Sequence, residues 1–485
     1  MSRMDPRNAL RALGVALAAA LAAALSACVG IPVSGPVVAG PVVGENEPDF
    51  VLNPSGPAVG ADPTGILNGF MAAVRAPQSD YKVARLFLTP QLAQTWEPDA
   101  GVIIWSSAPS LANRGTAEAP FIDYAFETRA SVDADGRYRA SAAPAPRTLG
   151  FAFTQVDGQW RISAAPDGVV LGEAGFSRAF TEYALYFFDP TGRYLVPDVR
   201  WFAARQTTPS VVVTALLGGP DAWLRHAVIS DFPAGTTLGP RSVVLNAGRA
   251  TVDLSPEVAS ASPQQLDRMR QQLVQTLDVA DVTITADGVP LRTDSSETPA
   301  TVDPHPEGTV LVGTGTEFGH AGADGITPIE GVSEAIVADG ATAAVVAASQ
   351  TSAAYLAADG TVRRVTAGVT AVLDTRGSLV APALDEFGWV WSAGALSPLE
   401  AFDVGGEPAG LLVDAIPPDA SIVALAVSRD STRLAVALRS PAGPRLLVFG
   451  IVRVNGAPTS LDPPLELPAA GAIASIAWAD DRSLV

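Results

Sequence analysis

An unbroken apolar run, Ala12 to Leu25, follows a segment carrying Arg3, Arg7 and Arg11 and ends at Ser26-Ala27-Cys28. It is shorter than the roughly 20 residues a membrane-spanning helix needs. A basic start, a short apolar stretch and small residues before a cut site are the parts of an export signal. Residues 1–27 are therefore read as a lipoprotein signal peptide. Cys28 is read as the lipidation site, an N-palmitoyl and S-diacylglycerol cysteine. The bilayer is then a partner through that anchor, and the expected location is the extracytoplasmic face of the cell membrane. Residues 28–61 are rich in Gly, Pro and Val and read as the lipidated cysteine with an extended tether.

Beyond the tether the periodicity alternates between helical and strand-like. Residues 62–165 are expected to form an α+β domain. Asp62-Pro63-Thr64 can cap a helix whose stripe is Ile66, Leu67, Phe70, Met71 and Val74. Val83, Leu86 and Phe87 predict a second helix ending near Pro90. Val102–Trp105, Tyr124–Thr128 and Phe151–Val156 then read as strands, and the last meets Trp160–Ile162 across an Asp157-Gly158 hairpin turn.

Residues 176–292 predict a second α+β domain. Tyr183–Phe188 and Tyr194–Pro197 are strand-like. Thr208-Pro209 opens a helix that Gly218-Gly219-Pro220 closes. Ser262-Pro263-Gln264-Gln265 has the capping-box pattern, followed by Leu266, Met269, Leu273, Val274 and Leu277 on one helical face. Residues 293–309 are polar and Pro-rich and read as a linker.

From 310 to 485 the pattern becomes short β runs with an acidic turn between them. The turn aspartates are Asp339, Asp385, Asp430 and Asp480. Their spacing falls within, or at the edge of, the roughly 40–50 residues of β-propeller blades. The expected fold class is thus multidomain: two α+β domains, then an all-β, propeller-like region. The chain stops at Val485 inside the second strand of the last copy, so the expectation is a partial, truncated ring.

Composition narrows the function. The formal net charge is −19, which repels nucleic acid and anionic headgroups, so no nucleic-acid partner is expected. Cys28 is the only cysteine, which leaves no internal disulfide. Of the three histidines, His226 is read as capping or packing locally after a helix, and His305 and His320 as solvated loop residues in or near the linker. No metal-site spacing, nucleophile elbow or phosphate loop is present, so no catalytic residue, metal or cofactor is assigned. Asp133-Ala134-Asp135-Gly136 is only a loose likeness of a calcium loop. Trp96, Trp160 and Trp201 could stack on sugars or serve as core anchors.

Three stretches carry a family resemblance. The first is Ala84–Pro90 with Trp96–Ala100. The second is Leu195–Pro197, Leu216–Pro220, Phe232–Thr236 and Val252–Ser255, which resembles a GerMN domain. The third is the blade repeat. Together they resemble the LpqB family of actinobacterial lipoproteins. The resemblance implies a non-catalytic accessory protein whose partner is the extracellular domain of an MtrB-like sensor histidine kinase. It further implies an influence on MtrA phosphorylation, cell division and envelope homeostasis. Binding of peptidoglycan or another wall glycan is the alternative, with a hydrolase ranked behind both.

Overall fold

Asp62 takes the extended cap conformation and its carboxylate accepts the Gly65 N–H at 2.8 Å. That cap starts the first helix of the computed structural model, α1 (Pro63–Ala73). The structure describes residues 54–293, 298–305, 310–395, 397–411, 413–469 and 471–485. Cys28, the signal segment and most of the tether lie outside the described residues.

The first domain continues through α2 (Gln78–Arg85) and α3 (Pro90–Thr95), then β1 (Gly101–Trp105), β2 (Ser110–Asn113), β3 (Phe121–Asp133), β4 (Tyr138–Val156) and β5 (Gln159–Ala164). β6 (Val169–Gly172) joins the sheet in parallel with β1, so the sheet extends past residue 165. The path is β5-β4-β3-β1-β6, with β2 on β3. Period-two burial along β3 turns Ile122, Tyr124, Phe126, Ala130 and Val132 toward the core under α1. Asp157 and Gly158 both have positive φ, which matches the twist of a two-residue hairpin between β4 and β5.

A short helix, α4 (Glu173–Ala179), leads into the central domain. β7 (Phe180–Phe188) and β8 (Tyr194–Ala203) form an antiparallel hairpin. α5 (Thr208–Leu217) follows. β9 (Leu238–Asn246) and β10 (Arg249–Leu254) come next, then α6 (Pro263–Leu277), β11 (Asp281–Ala286) and β12 (Val289–Pro290). Ser262 caps α6, its hydroxyl accepting the Gln265 N–H at 3.1 Å. The helix crosses between the parallel strands β10 and β11 and buries Leu266, Met269 and Leu273. The segment read as a linker contributes β13 (Thr301–Val302), parallel to β8. Edge pairing to β8 holds it, a long-range contact that local composition does not reveal.

The C-terminal region is a series of small antiparallel sheets. The first holds β14 (Leu311–Gly313), β15 (Phe318–Gly322) and β16 (Gly325–Thr327). A helix, α7 (Ser333–Ala338), stands where the pattern predicts a strand. Val332 and Ile336 are both buried, and their four-residue spacing suits a helix turn rather than a pleat. The second sheet is β17 (Ala343–Val346), β18 (Ser352–Leu356), β19 (Val362–Thr366) and β20 (Val369–Asp374). The third is β21 (Ala383–Leu384), β22 (Val390–Ser392) and β23 (Glu400–Phe402). The fourth is β24 (Ser421–Val427), β25 (Arg433–Ser440), β26 (Gly443–Val454) and β27 (Ala457–Leu461), with β28 (Leu465–Leu467) also on β26. The last copy of the repeat is a tight hairpin rather than two strands: Trp478 bridges Leu484, and Ala477 and Val485 exchange N–H···O bonds at 2.9 Å.

Acidic turns of one sheet are gripped by arginines of a neighbouring sheet. Arg364 donates to the Gly388 carbonyl, Arg453 pairs with Asp385, and Arg433 donates to the Asp481 carbonyl. Asp385 also accepts the Trp391 indole N–H at 3.0 Å and two turn N–H groups. Both members of the Arg453–Asp385 pair are almost wholly buried, at 2% and 0% side-chain exposure. Asp385→Ala would strand the guanidinium. The expected outcome is a loss of about 3 kcal/mol in urea unfolding; a loss under about 1 kcal/mol would contradict this role.

Candidate functional site

On a strand, residues two apart share a face. Arg200 of β8 therefore folds back on Asp198, Nη2 to Oδ2 at 2.6 Å, with both side chains buried. Asp198 Oδ2 also accepts the Asp221 N–H at 2.8 Å, and Arg200 Nη1 donates to the Asp135 carbonyl at 3.0 Å. Asp221 is in turn ion-paired with Arg137, 2.8 Å from its Nε. The β3–β4 turn is thereby fixed to the central domain. Gly136 makes the approach possible: its N–H-bearing turn has φ 80°, and a Cβ there would lie 2.8 Å from the Phe202 ring. The Asp133–Gly136 stretch is thus a docking turn. Asp133 Oδ1 accepts the N–H of Asp135 at 3.0 Å and of Arg137 at 2.9 Å.

The C-terminal sheets close on the central domain from the other side. Ala435 and Val448 belong to the same core as Val212, Leu216 and Trp223. Gly450 donates its N–H to the Trp223 carbonyl at 2.9 Å, and a Cβ on Gly450 would meet that oxygen at 2.5 Å. His226 does not pack locally. Its Nδ1 lies 2.6 Å from Asp462 Oδ1, and its N–H donates to Oδ2 at 2.8 Å, across the domain boundary.

Between these contacts lies a cleft of about 390 Å3. Its size falls within the ordinary range for ligand sites. All three domains line it: Tyr138 from the first, Trp201 and Trp223 from the second, Val448, Leu467 and Trp478 from the third. Trp478 is held by its indole N–H on the Ala426 carbonyl at 3.2 Å and by Arg433, whose guanidinium carbon stands 4.6 Å from the ring centroid.

One corner of this cleft is strongly acidic. Asp481 is 6% exposed, and its Oδ2 is buried without a hydrogen-bond partner. Oδ1 lies 3.5 Å from Arg482 Nε, and its backbone N–H donates to Asp303 Oδ1 at 2.9 Å. Burial, then the Asp303 charge, pushes the Asp481 carboxyl above the usual range, against the pull of Arg433 and Arg482. The neighbouring Tyr186 hydroxyl is pushed up to about 12, mainly by burial and next by Asp481.

Other residues singled out from sequence fall elsewhere. Trp96 is core, edge-on to Phe70 at 5.3 Å, and Trp160 is half-buried on β5; of that trio only Trp201 reaches the cleft. His305 is largely exposed with Nε2 3.1 Å from Asp303 Oδ2. His320 is not a loop residue: it pairs within β15, and its Nε2 lies 2.9 Å from Gln350 Oε1. Among the described residues, no three His, Cys, Asp or Glu side chains converge as metal ligands. No described helix is long and apolar enough to cross a membrane.

An α+β domain, a GerMN-like centre and a sheet-rich, propeller-like end, closed around one cleft, define a multidomain architecture that the comparisons with known proteins match part by part. Residues 56–177 match the family described as Lipoprotein LpqB, N-terminal domain. Residues 184–292 match Germane, sporulation and spore germination, and residues 317–485 match the Lipoprotein LpqB beta-propeller domain. Lipoprotein LpqB of Thermobifida fusca is 29% identical over 277 residues, covering 53% of this chain and 44% of its own. That of Bifidobacterium longum is 28% identical over 444 residues, covering 88% and 75%. The aligned stretch thus spans less than half of the first relative and three quarters of the second. The tandem GerMN domains of the sporulation protein GerM from Bacillus subtilis are 19% identical over 41% of this chain and 62% of that one, with a TM-score of 0.20. That score is too low to place any residue. The chain belongs to the LpqB lipoprotein family.

Asp481 gives a stability prediction. Its raised pKa means the folded chain binds that proton more tightly than the unfolded chain. Its cost is therefore greatest above the folded pKa and fades as pH falls toward the ordinary aspartate value of about 3.9. Asp481→Asn is expected to stabilise the protein at pH 7 by about 1 kcal/mol, with the gain shrinking on acidification. Denaturant midpoints across that pH range check it; a destabilised variant at pH 7 would contradict the assignment.

Proposed function

We propose that the chain is a non-catalytic accessory lipoprotein. Acylated Cys28 anchors it to the extracytoplasmic face of the cell membrane, where it modulates an MtrB-like sensor histidine kinase by contacting the kinase's extracellular domain. The observation that carries this reading is how the cleft spends its charges. Asp198 is committed to Arg200 and a backbone N–H, Asp221 to Arg137, and Glu466 to Arg445 at 2.8 Å. Asp221–Arg137 joins the first domain to the central one, while the other two pairs each brace a single domain. They build a rigid composite surface, which suits recognition better than proton transfer. Membership in a family of lipoproteins supports the anchor.

Anchoring confines both partners to a surface, so a weak interface suffices through effective concentration. The coupling is reciprocal: whatever alters the lipoprotein's grip on the sensor is itself held differently by the sensor-bound form. Changes in MtrA phosphorylation, envelope homeostasis and division would follow from that shift. The three cleft indoles, Trp201, Trp223 and Trp478, support wall-glycan binding as a second reading, because aromatic faces stack on sugars.

The test uses the full chain and its Cys28→Ser variant with the extracellular domain of the organism's own MtrB-like kinase, held on supported bilayers. Both forms should bind the kinase domain in solution. On the bilayer the variant should lose about 100-fold in apparent affinity. Absence of kinase binding by either form, with retention on purified peptidoglycan, would replace this reading with the second.

A further inference from the structure

The acidic corner of the cleft has a charge balance that the internal pairs leave open. Glu182, Asp480, Asp481, Arg433 and Arg482 line the cleft, and Asp303, Asp430 and Arg429 line a small adjoining hollow that shares Asp480, Asp481 and Arg433 with it. Arg433 is already committed to Asp430 and to the Asp481 carbonyl. Arg429 is committed to the carbonyls of Pro304, Trp478 and Ala479. Arg482 is divided between Glu182 at 3.7 Å and Asp481 at 3.5 Å. Negative charge is in excess, and Asp481, which lines the cleft, is more than nine-tenths buried; its Oδ2 is buried without a hydrogen-bond partner, and the Tyr186 hydroxyl interacts with the carboxylate. A buried charged oxygen without a partner is costly, and such groups call for an explanation. An incoming cation supplies one.

We propose that this corner, with Asp481 and Asp480 at its base and Trp478 beside them, binds a lysine or arginine side chain on an extended segment of a partner polypeptide. Flanking apolar residues of that segment lie along Trp201, Trp223, Val448 and Leu467. A long cationic side chain suits the site because its methylene stem packs on apolar walls while its charged head reaches the carboxylates.

Two internal occupants are disfavoured by charge. The N-terminal segment of this chain has no Lys or Arg between Arg11 and Arg75 and carries Glu45, Glu47 and Asp49. A second copy brings a net charge of −19 toward an already negative corner. The inference rests on the accessory-protein reading only in taking the segment from a protein partner.

The test is isothermal titration calorimetry of the full chain in detergent with a terminally blocked Leu-Lys-Leu peptide and its side-chain-acetylated counterpart. The peptide should bind, the acetylated form should bind about tenfold more weakly, and Asp481→Asn should weaken the charged peptide by a similar factor. Asp157→Asn, on a remote hairpin, should change nothing. Because Asp481→Asn is expected to be the more stable protein, its loss of binding cannot be ascribed to unfolding. Equal binding of the two peptides, undiminished binding by Asp481→Asn, or no binding at millimolar peptide would overturn the proposal. Peptide binding without kinase binding would leave the cleft assignment standing and remove the kinase. Kinase binding that neither the peptide nor Asp481→Asn weakens would do the reverse.

Discussion

The backbone contact between Gly450 and Trp223 sets the geometry of everything around the cleft. An N–H···O bond of 2.9 Å joins a strand of the C-terminal sheets to the central domain, at a distance no side chain on residue 450 would permit. Around it, Ala435 and Val448 complete a core that the central domain cannot close alone. Burying apolar surface across a boundary makes the two parts mutually dependent, since separating them would return that surface to water. The cleft is therefore a product of docking. Remove the contact and its walls belong to separate bodies.

Arginine supplies the second level of order. The chain is acidic overall, yet its buried aspartates are matched to guanidinium groups at each joint: Asp198 with Arg200, Asp385 with Arg453, Asp430 with Arg433. A planar fork can hold a carboxylate while donating to a carbonyl of the neighbouring segment, as Arg200 does to Asp135 and Arg433 does to Asp481. A lysine could not span both in fixed geometry. Against that background Asp481 stands out: at a joint where other carboxylates are satisfied, this cleft residue keeps a buried oxygen without a hydrogen bond. Sites that break a local rule the rest of a molecule obeys are where function is expected.

The local features of the fold were legible in the sequence because their causes are local. The Ser262 cap, the α1 stripe and the Asp157-Gly158 hairpin depend on residues a few positions apart. The recurring aspartates were legible as a period, though the arginine partners of Asp339, Asp385 and Asp430 were not. The strand read over 334–338 failed because Val332 and Ile336 bury on a helical spacing that a strand pattern ignores. β6 and β13 were missed because each is held by an edge far away in sequence. The cleft was hidden for the same reason. His226 and Asp462 are 236 residues apart, Asp303 and Asp481 are 178 apart, and nothing near either residue signals its partner. Of its lining, Trp201 was singled out beforehand as one aromatic among several, and Asp480 as a turn aspartate.

The cleft exists only if the three domains act as one docked body. Differential scanning calorimetry of the full chain tests this most directly, alongside a Gly450→Leu variant that pushes the Trp223 carbonyl away. One cooperative transition is expected for the parent chain, with calorimetric and van't Hoff enthalpies equal. The variant should split that transition into separate steps. Resolved independent transitions in the parent chain, unchanged by Gly450→Leu, would contradict it.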